Sequence, residues 1–358
     1  MLLSNPKRIV CFQRRIPHQL KRRPPLKKAT IRDVAQEAGV SIATASNALN
    51  NPSIVKPHTR QAVLDAVSRL SYVPNANGQR LRAKQSKAIG LFVNSMAGEF
   101  YGILADTMNQ VCRSHGYELD IRIVSDINSI RSRLQDHSID GAVIYWDAVD
   151  DPTAAELMST DFPLMFLARR EYGRHTSSML LESRKHGAMA AEYLYGLGKR
   201  SFLHIYGLSG NYDSEMRCEG FLEVLEGHGL NRNDVRMFEG RFEREAAYRE
   251  MKQYLQSGNP LPDAIFASND LSGIGCMAAL REMGIQIPED VSIIGCDDIS
   301  LCAYTTPGLT TIRTHFQDIG TIAAQEVFRL IQGEPGRLIH QDGVLVERGS
   351  CSPSDHPA

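Results

Sequence analysis

Between Ala88 and Gly295 short apolar runs alternate with amphipathic helical stretches, and no other feature limits the fold of this chain so tightly. Ala88-Ile-Gly-Leu-Phe-Val93 precedes a helical pattern over Phe100–His115. Leu119–Val124, Gly141–Tyr145, Leu164–Leu167, Phe202–Tyr206, Ala264–Ala267 and Val291–Gly295 repeat the strand pattern, each separated from the next by helical periodicity. Alternation of this kind gives parallel, doubly wound α/β sheets. There are too many strands for one compact sheet, so two lobes with a cleft are expected. Ligands in such folds bind beyond the carboxyl ends of the strands.

The chain has 358 residues, more than one ordinary domain holds. Its net charge of −1 conceals an imbalance. Residues 1–87 carry seventeen basic and three acidic side chains, a net of +14, whereas the remainder carries 23 and 38, a net of −15. A basic end on an acidic body points to an anionic polymer or surface as its partner. Residues 1–27 combine nearly half of these cations with Pro6, Pro17, Pro24 and Pro25 and contain no acid. They read as a disordered basic tail, either adding nonspecific attraction to DNA or reflecting a misplaced translation start. The apolar stretch Ile9–Phe12 is too short for a secretory signal. Seven scattered cysteines form no Cys-x-x-Cys pair, which suits a reducing cytoplasm and argues against a disulfide framework. Nor is there an apolar run of about eighteen residues to span a membrane.

Residues 28–74 read as an all-α unit. Thr30-Ile-Arg-Asp33 fits a capping box before Ile31, Val34, Ala35 and Ala38. Gly39 ends that helix, and Ser41 caps a second one running to about Asn50. The short connection makes the pair a helix-turn-helix of the kind that reads DNA. Ala45, Ala48 and Leu49 share the inner face, leaving Ile42, Ala43, Ser46 and Asn47 outward. A third helix follows Pro57, with Val63, Leu64, Val67 and Leu70 as its apolar stripe. Asn47 is suited to an adenine edge and Ile42 to a thymine methyl. Ser41, Thr44, Ser46 and Asn50 are suited to phosphates, which fix register without reading sequence.

The run Thr30-Ile-Arg-Asp-Val-Ala-Gln-Glu-Ala-Gly-Val-Ser-Ile-Ala-Thr-Ala-Ser-Asn-Ala-Leu-Asn50, continued by Val55–Arg60 and Leu70–Asn75, resembles the head piece of the LacI/GalR family of bacterial transcriptional regulators. The resemblance extends over roughly residues 28–350. It implies a homodimer that binds palindromic operator DNA, with a two-lobed, periplasmic-binding-protein-like core at 88–350 that takes a small sugar or sugar phosphate. The N-lobe would comprise about 88–180 and 314–340, the C-lobe about 181–313 and 341–350, with a short hydrophilic tail at 351–358. Ile42, Ala43 and Asn47 fall on the family's base-reading positions, Asn47 replacing a common arginine. Thr30 and Thr59, opening the first and third helices, join the DNA-facing set. Residues 75–87 would be a hinge in which Leu81 wedges between base steps of the minor groove. Seven residues, Asn75–Leu81, with Gly78 among them, form no autonomous helix, so this segment is expected to fold only when docked.

For the ligand, Asn94 and Trp146 follow the first and third strands. Asn269, in Ala267-Ser-Asn-Asp270, and Asp297, in Gly295-Cys-Asp-Asp298, match the family's polar strand-end motifs. Arg217 matches an arginine that holds sugar hydroxyls or an anionic group, and Phe221 stands where an aromatic ring walls the site. Asp270 is expected to cap the following helix and Asp298 to be structural. The family would also place helix 100–115 in the dimer contact.

An enzyme is not expected. There is no Gly-x-Ser-x-Gly elbow, no Walker loop and no metal-ligand spacing among the eleven histidines, so neither cofactor nor metal is implied. Gly273-Ile-Gly-Cys-Met-Ala278 lies within a helical pattern and makes no phosphate loop. Two alternatives stay open: a periplasmic-type carbohydrate-binding protein without a DNA role, and a family member whose ligand acts as co-repressor.

Overall fold

A computed structural model describes residues 29–72, 85–146 and 149–354, in two units that divide near residue 80. The expected tail at 1–27 and the hinge residues 75–84, Leu81 among them, lie outside the described residues.

The head contains α1 (Ile31–Glu37), α2 (Ile42–Asn50) and α3 (Pro57–Arg69). Thr30 closes a capping box with Asp33. Gly39 takes the left-handed φ of 66° that lets the chain turn sharply after α1. Ser41 Oγ then accepts from Thr44 N at 3.0 Å to start α2. Val34, Ala35, Ala45, Ala48, Val63 and Ala66 form the core, and their small size permits close helix contacts. The expected stripe of α3 is corrected at one position. Leu64 is exposed and Ala66 is buried in its place, because 63, 66, 67 and 70 share a helical face and 64 lies about 100° away.

The core starts with β1 (Ala88–Val93), α4 (Glu99–Ser114), β2 (Glu118–Ile123), α5 (Ile127–Gln135), β3 (Gly141–Tyr145), α6 (Asp151–Met158), β4 (Leu164–Leu167) and β5 (Thr176–Leu181). It continues with α7 (Ser183–Gly196), β6 (Phe202–Tyr206), α8 (Tyr212–Gly227), β7 (Arg236–Glu239), α9 (Arg244–Gln256), β8 (Ala264–Ala267), α10 (Asp270–Glu282) and β9 (Ser292–Ile294). The last elements are β10 (Thr311–Arg313), α11 (Phe316–Ile331), β11 (Leu338–Gln341) and β12 (Val344–Val346).

Two parallel sheets result. One has the order β11-β5-β4-β3-β1-β2, the other β7-β6-β8-β9, and β10 pairs with β12 in an antiparallel ribbon. These are the two doubly wound lobes that the alternation required. The chain passes between them at 181–183, 313–316 and 341–344. Strand order reverses between β1 and β3 in one sheet and between β6 and β8 in the other. Crevices open beyond the strand ends at such switch points. Side-chain caps crowd those same ends: Asp126, Asp150, Asn211 and Asn269 each accept from a backbone N–H three residues on.

Candidate functional site

On the head, the residues expected to face DNA divide by how far local bonds already occupy them. Thr30 is taken up by its capping box, donating to Asp33 Oδ2 at 2.8 Å and accepting from Asp33 N. Ser41 and Thr44 hydroxyls bond to each other at 2.8 Å, and Asn50 Nδ2 donates to Ser46 Oγ at 3.2 Å. Ile42 and Ala43 are exposed, while Asn47 is half-buried and its amide makes no hydrogen bond among the described residues. One face of α2 therefore carries a methyl-rich patch beside an uncommitted amide. Thr59 lies in the first turn of α3, where Lys56 gives no side-chain cap and Pro57 occupies the first position. The remaining N–H groups of that turn suit an anion such as phosphate.

In the core, a cavity of about 170 Å³ lies between the lobes. The N-lobe lines it with an aromatic group: Phe100 packs edge-on against Tyr101, Tyr145 and Phe316, with centroids 4.8–5.3 Å apart. The C-lobe opposes this with Asn211, Asp213, Arg217, Asn269 and Asp297. An apolar ring wall facing polar groups suits a molecule with one apolar face and hydroxyls along its edge.

Arg217 projects from α8 and is buried. Its Nη1 donates to Ser268 O, its Nη2 lies 3.5 Å from Asp297 Oδ1, and its Nε is buried without a partner. Asp297 holds a φ of 121°, uncommon for a residue with a Cβ. Burial pushes its carboxyl well above the usual range; Arg217 pulls it down, and Asp270 and Asp213 add to the rise. Ser183 donates to Asp213 Oδ1 at 2.6 Å. Sequence reasoning missed Asn211 and Asp213, which the helix start at Asn211-Tyr-Asp-Ser214 could have flagged as a strand-end cap.

Several expected roles need correction. Asn269 lines the cavity, yet its side chain is spent locally: Oδ1 accepts from Ser272 N at 3.0 Å to cap α10, and Nδ2 donates to Phe242 O at 3.1 Å. Asp270, expected to be that cap, is instead a buried strut. It accepts from Thr311 Oγ1 at 2.6 Å and from Ile299 N at 2.9 Å, tying α10 to β10 and to the loop after β9. Phe221 walls nothing; it is fully buried between Phe202, His204 and Phe266, because its position on α8 faces the sheet. Asn94 is exposed outside the cavity and accepts from Tyr101 Oη at 3.0 Å. Trp146 is likewise absent from this cavity and lines a neighbouring one. Asp298 is structural, bonded by Arg313 at 2.7 Å and Arg348 at 2.6 Å.

Among the described residues no cluster suited to a metal ion occurs, and no helix is long and apolar enough to cross a membrane.

Comparison with known proteins adds to this geometry. A family model described as bacterial regulatory proteins, lacI family, matches residues 30–75, and one described as periplasmic binding protein-like domain matches 191–351. The probable transcriptional repressor ExuR of Bacillus subtilis strain 168 is 32% identical over 306 residues, which span 84% of this chain and 91% of that protein. A structure of the lac repressor dimer bound to operator and the anti-inducer ONPF is 25% identical, with a TM-score of 0.77 over 91% of this chain and all of the other. A complex of the transcriptional regulator CelR with cellobiose is also 25% identical, with a TM-score of 0.65 over 90% of this chain and all of that one.

Proposed function

This chain belongs to the lacI family of bacterial regulatory proteins, as a DNA-binding transcriptional repressor and not an enzyme, and from that premise we propose how its residues do the work. Each head of a homodimer sets α2 into the major groove of one operator half-site, so that operator symmetry mirrors the protein dyad. Ile42, Ala43 and Asn47 read bases, while Ser41, Thr44, Ser46, Asn50 and Thr59 hold phosphates. Leu81 of the paired hinges enters the minor groove between the half-sites. The protein acts in the cytoplasm, on the nucleoid when bound. Helix α4 contributes to the dimer contact beside the open edge of β2, where Ile121 and Ile123 are exposed.

The interlobe cavity takes a small sugar-like effector. The observation that carries this reading is Arg217: a buried guanidinium in the cavity wall, paired with Asp297 and left with an unpartnered Nε. A buried guanidinium short of one acceptor is costly, by about 1–3 kcal/mol, and its pairing with Asp297 is long, so ligand hydroxyls that bond to this pair offset part of that cost. Among the relatives, the CelR–cellobiose complex supports a carbohydrate effector. Binding changes operator affinity because the ligand fits one lobe arrangement better than the other.

Operator selection from a randomised duplex library tests the DNA-reading assignment. Asn47→Ala relaxes preference at one base position per half-site, by about 1–3 kcal/mol of lost discrimination, whereas Thr44→Ala weakens all sequences alike. Identical selection profiles for the two variants would refute the assigned face.

A further inference from the structure

The path from the head into the core runs through Ser86 and Lys87, immediately before β1, and a single carboxylate holds both. Asp140, the residue before β3, is half-buried. Its Oδ1 accepts from Ser86 N at 2.6 Å and from Ser86 Oγ at 2.8 Å, and its Oδ2 accepts from Lys87 N at 2.9 Å. Two successive N–H groups held by the two oxygens of one carboxylate fix the peptide between them. The Asp140 N–H donates to Ala88 O at 2.8 Å, which joins this clamp to the β1–β3 ladder. Lys87 takes a left-handed φ of 55°, uncommon for a residue with a Cβ, and its Nζ lies 4.5 Å from the Tyr117 ring centroid. The chain thus turns at Lys87 in a direction that Asp140 sets.

A similar device stands in the other lobe, and it separates what belongs to the fold from what does not. Asp263, before β8, accepts from Arg200 N and Ser201 N, both at 2.9 Å, just ahead of β6. A carboxylate clamp at the start of a strand pair is therefore a fixture of the α/β lobe. Two things differ at Asp140. The backbone it holds passes through the left-handed region, whereas Arg200 and Ser201 do not. The chain preceding the Asp263 clamp comes from α7 of the same lobe, while the chain preceding the Asp140 clamp comes from the head. Strand β3 also runs from Asp140 to Tyr145 in the cavity wall, so opposite ends of one buried strand meet the tether and the cavity.

We propose that Asp140 is a positioning residue for operator recognition. By fixing the direction in which the chain leaves the N-lobe for the head, it sets the half-site spacing that the paired heads of a dimer accept. This rests on the reading of two heads on one symmetric operator. Two binding units on tethers of fixed direction reach one spacing well. On tethers free at the root they reach many spacings, each at a lower effective concentration.

The test uses the full chain and a selected operator whose half-sites are moved apart or together by one and two base pairs, beside a duplex with a single half-site. Two base pairs rotate one half-site by about 70° relative to the other. The parent prefers one spacing by about tenfold or more over those two base pairs away. Asp140→Ala narrows this preference to about threefold or less, through weaker binding at the preferred spacing, and leaves single-half-site affinity unchanged. Asp140→Asn, which keeps one acceptor oxygen, falls between. Ser86→Ala removes only the hydroxyl, shifts the preference in the same direction and serves where Asp140→Ala fails to fold. Asp263→Ala is the control: it lowers the melting temperature and keeps the parent's spacing preference. A parent preference kept in the Asp140 and Ser86 variants, lost equally in Asp263→Ala, or absent from the parent itself overturns the positioning role. A parent that binds the single half-site as tightly as any operator overturns the two-headed reading as well.

Discussion

Asp213, Arg217 and Asp297 share a space from which most water is excluded, so their charges are felt strongly. Burial holds the Asp297 carboxyl high, and ligand hydroxyls that donate to it favour its ionised form. The histidines behind this cluster have the opposite sensitivity. His186 is fully buried with neither ring nitrogen bonded, and burial, reinforced by Arg217, lowers its pKa to about 3. His204 is buried against Phe266 and lowered to about 4 for the same first reason. Both are neutral in the folded protein, whereas in the unfolded chain they take up protons near pH 6.5. Below pH 6.5 the unfolded state therefore binds more protons, and stability falls as pH falls toward 4, by at most about 1.4 kcal/mol per pH unit for each group. His186→Gln removes one of the two. Urea denaturation between pH 6.5 and 4.5 is expected to show a shallower loss of stability for the variant than for the parent; equal slopes would remove His186 from this account.

At the same scale, sequence could mark polar residues at strand ends but not what each was for. Arg217 and Asp297 sit in the cavity wall, while Asn269 takes the capping role expected of Asp270, and Asp270 is a strut. A cap and a buried strut are both acidic or amide side chains one position apart. Only the direction of each Cα–Cβ bond separates them.

Helices α7 and α8 meet through glycines. A Cβ on Gly187 would lie 1.9 Å from the Arg217 carbonyl oxygen, and one on Gly220 equally close to that of Arg184. This contact seats α8, and with it the Arg217 side chain, against the cavity. Gly187→Ala is expected to lower stability by about 1–3 kcal/mol and to weaken effector binding, since the two helices must separate. Gly227→Ala, where nothing lies within 4 Å, is the control and is expected to be neutral or slightly stabilising. Thermal melts and sugar titration check both; equal behaviour of the two variants would contradict the helix-seating role. Strands with apolar runs were legible, β1, β3, β4 and β8 among them, as was β6, where His204 alone interrupts the run. The interior strand β5 was not, because Thr176-Ser-Ser178 interrupts its pattern. Those hydroxyls are buried at little cost where they are bonded, Ser177 to Glu326 and Ser178 to the Glu171 carbonyl. The short strands β7, β10, β11 and β12 carry too few residues for any period to show.

On the scale of the whole molecule, the charge imbalance turns out to lie mostly beside the folded head. Residues 29–72 hold four basic side chains, Arg32, Lys56, Arg60 and Arg69, against three acidic ones. The other thirteen cations of the first 87 residues belong to 1–28 and to 80–87. In the proposed account, sequence-independent attraction resides in the flanking segments, and α2 supplies the reading of bases. The central claim is that one chain joins this reader to a ligand-closing cleft, and operator affinity measured on the full-length protein tests it most directly. The measurement compares a selected operator with a scrambled duplex at physiological salt, with and without the sugar that most raises the melting temperature. The account predicts operator binding at least about 1,000-fold tighter than to the scrambled duplex, a change of about 5- to 150-fold when the sugar is added, and loss of that change alone in Asp297→Ala. Equal affinity for both duplexes, unmoved by any sugar that binds, would contradict it.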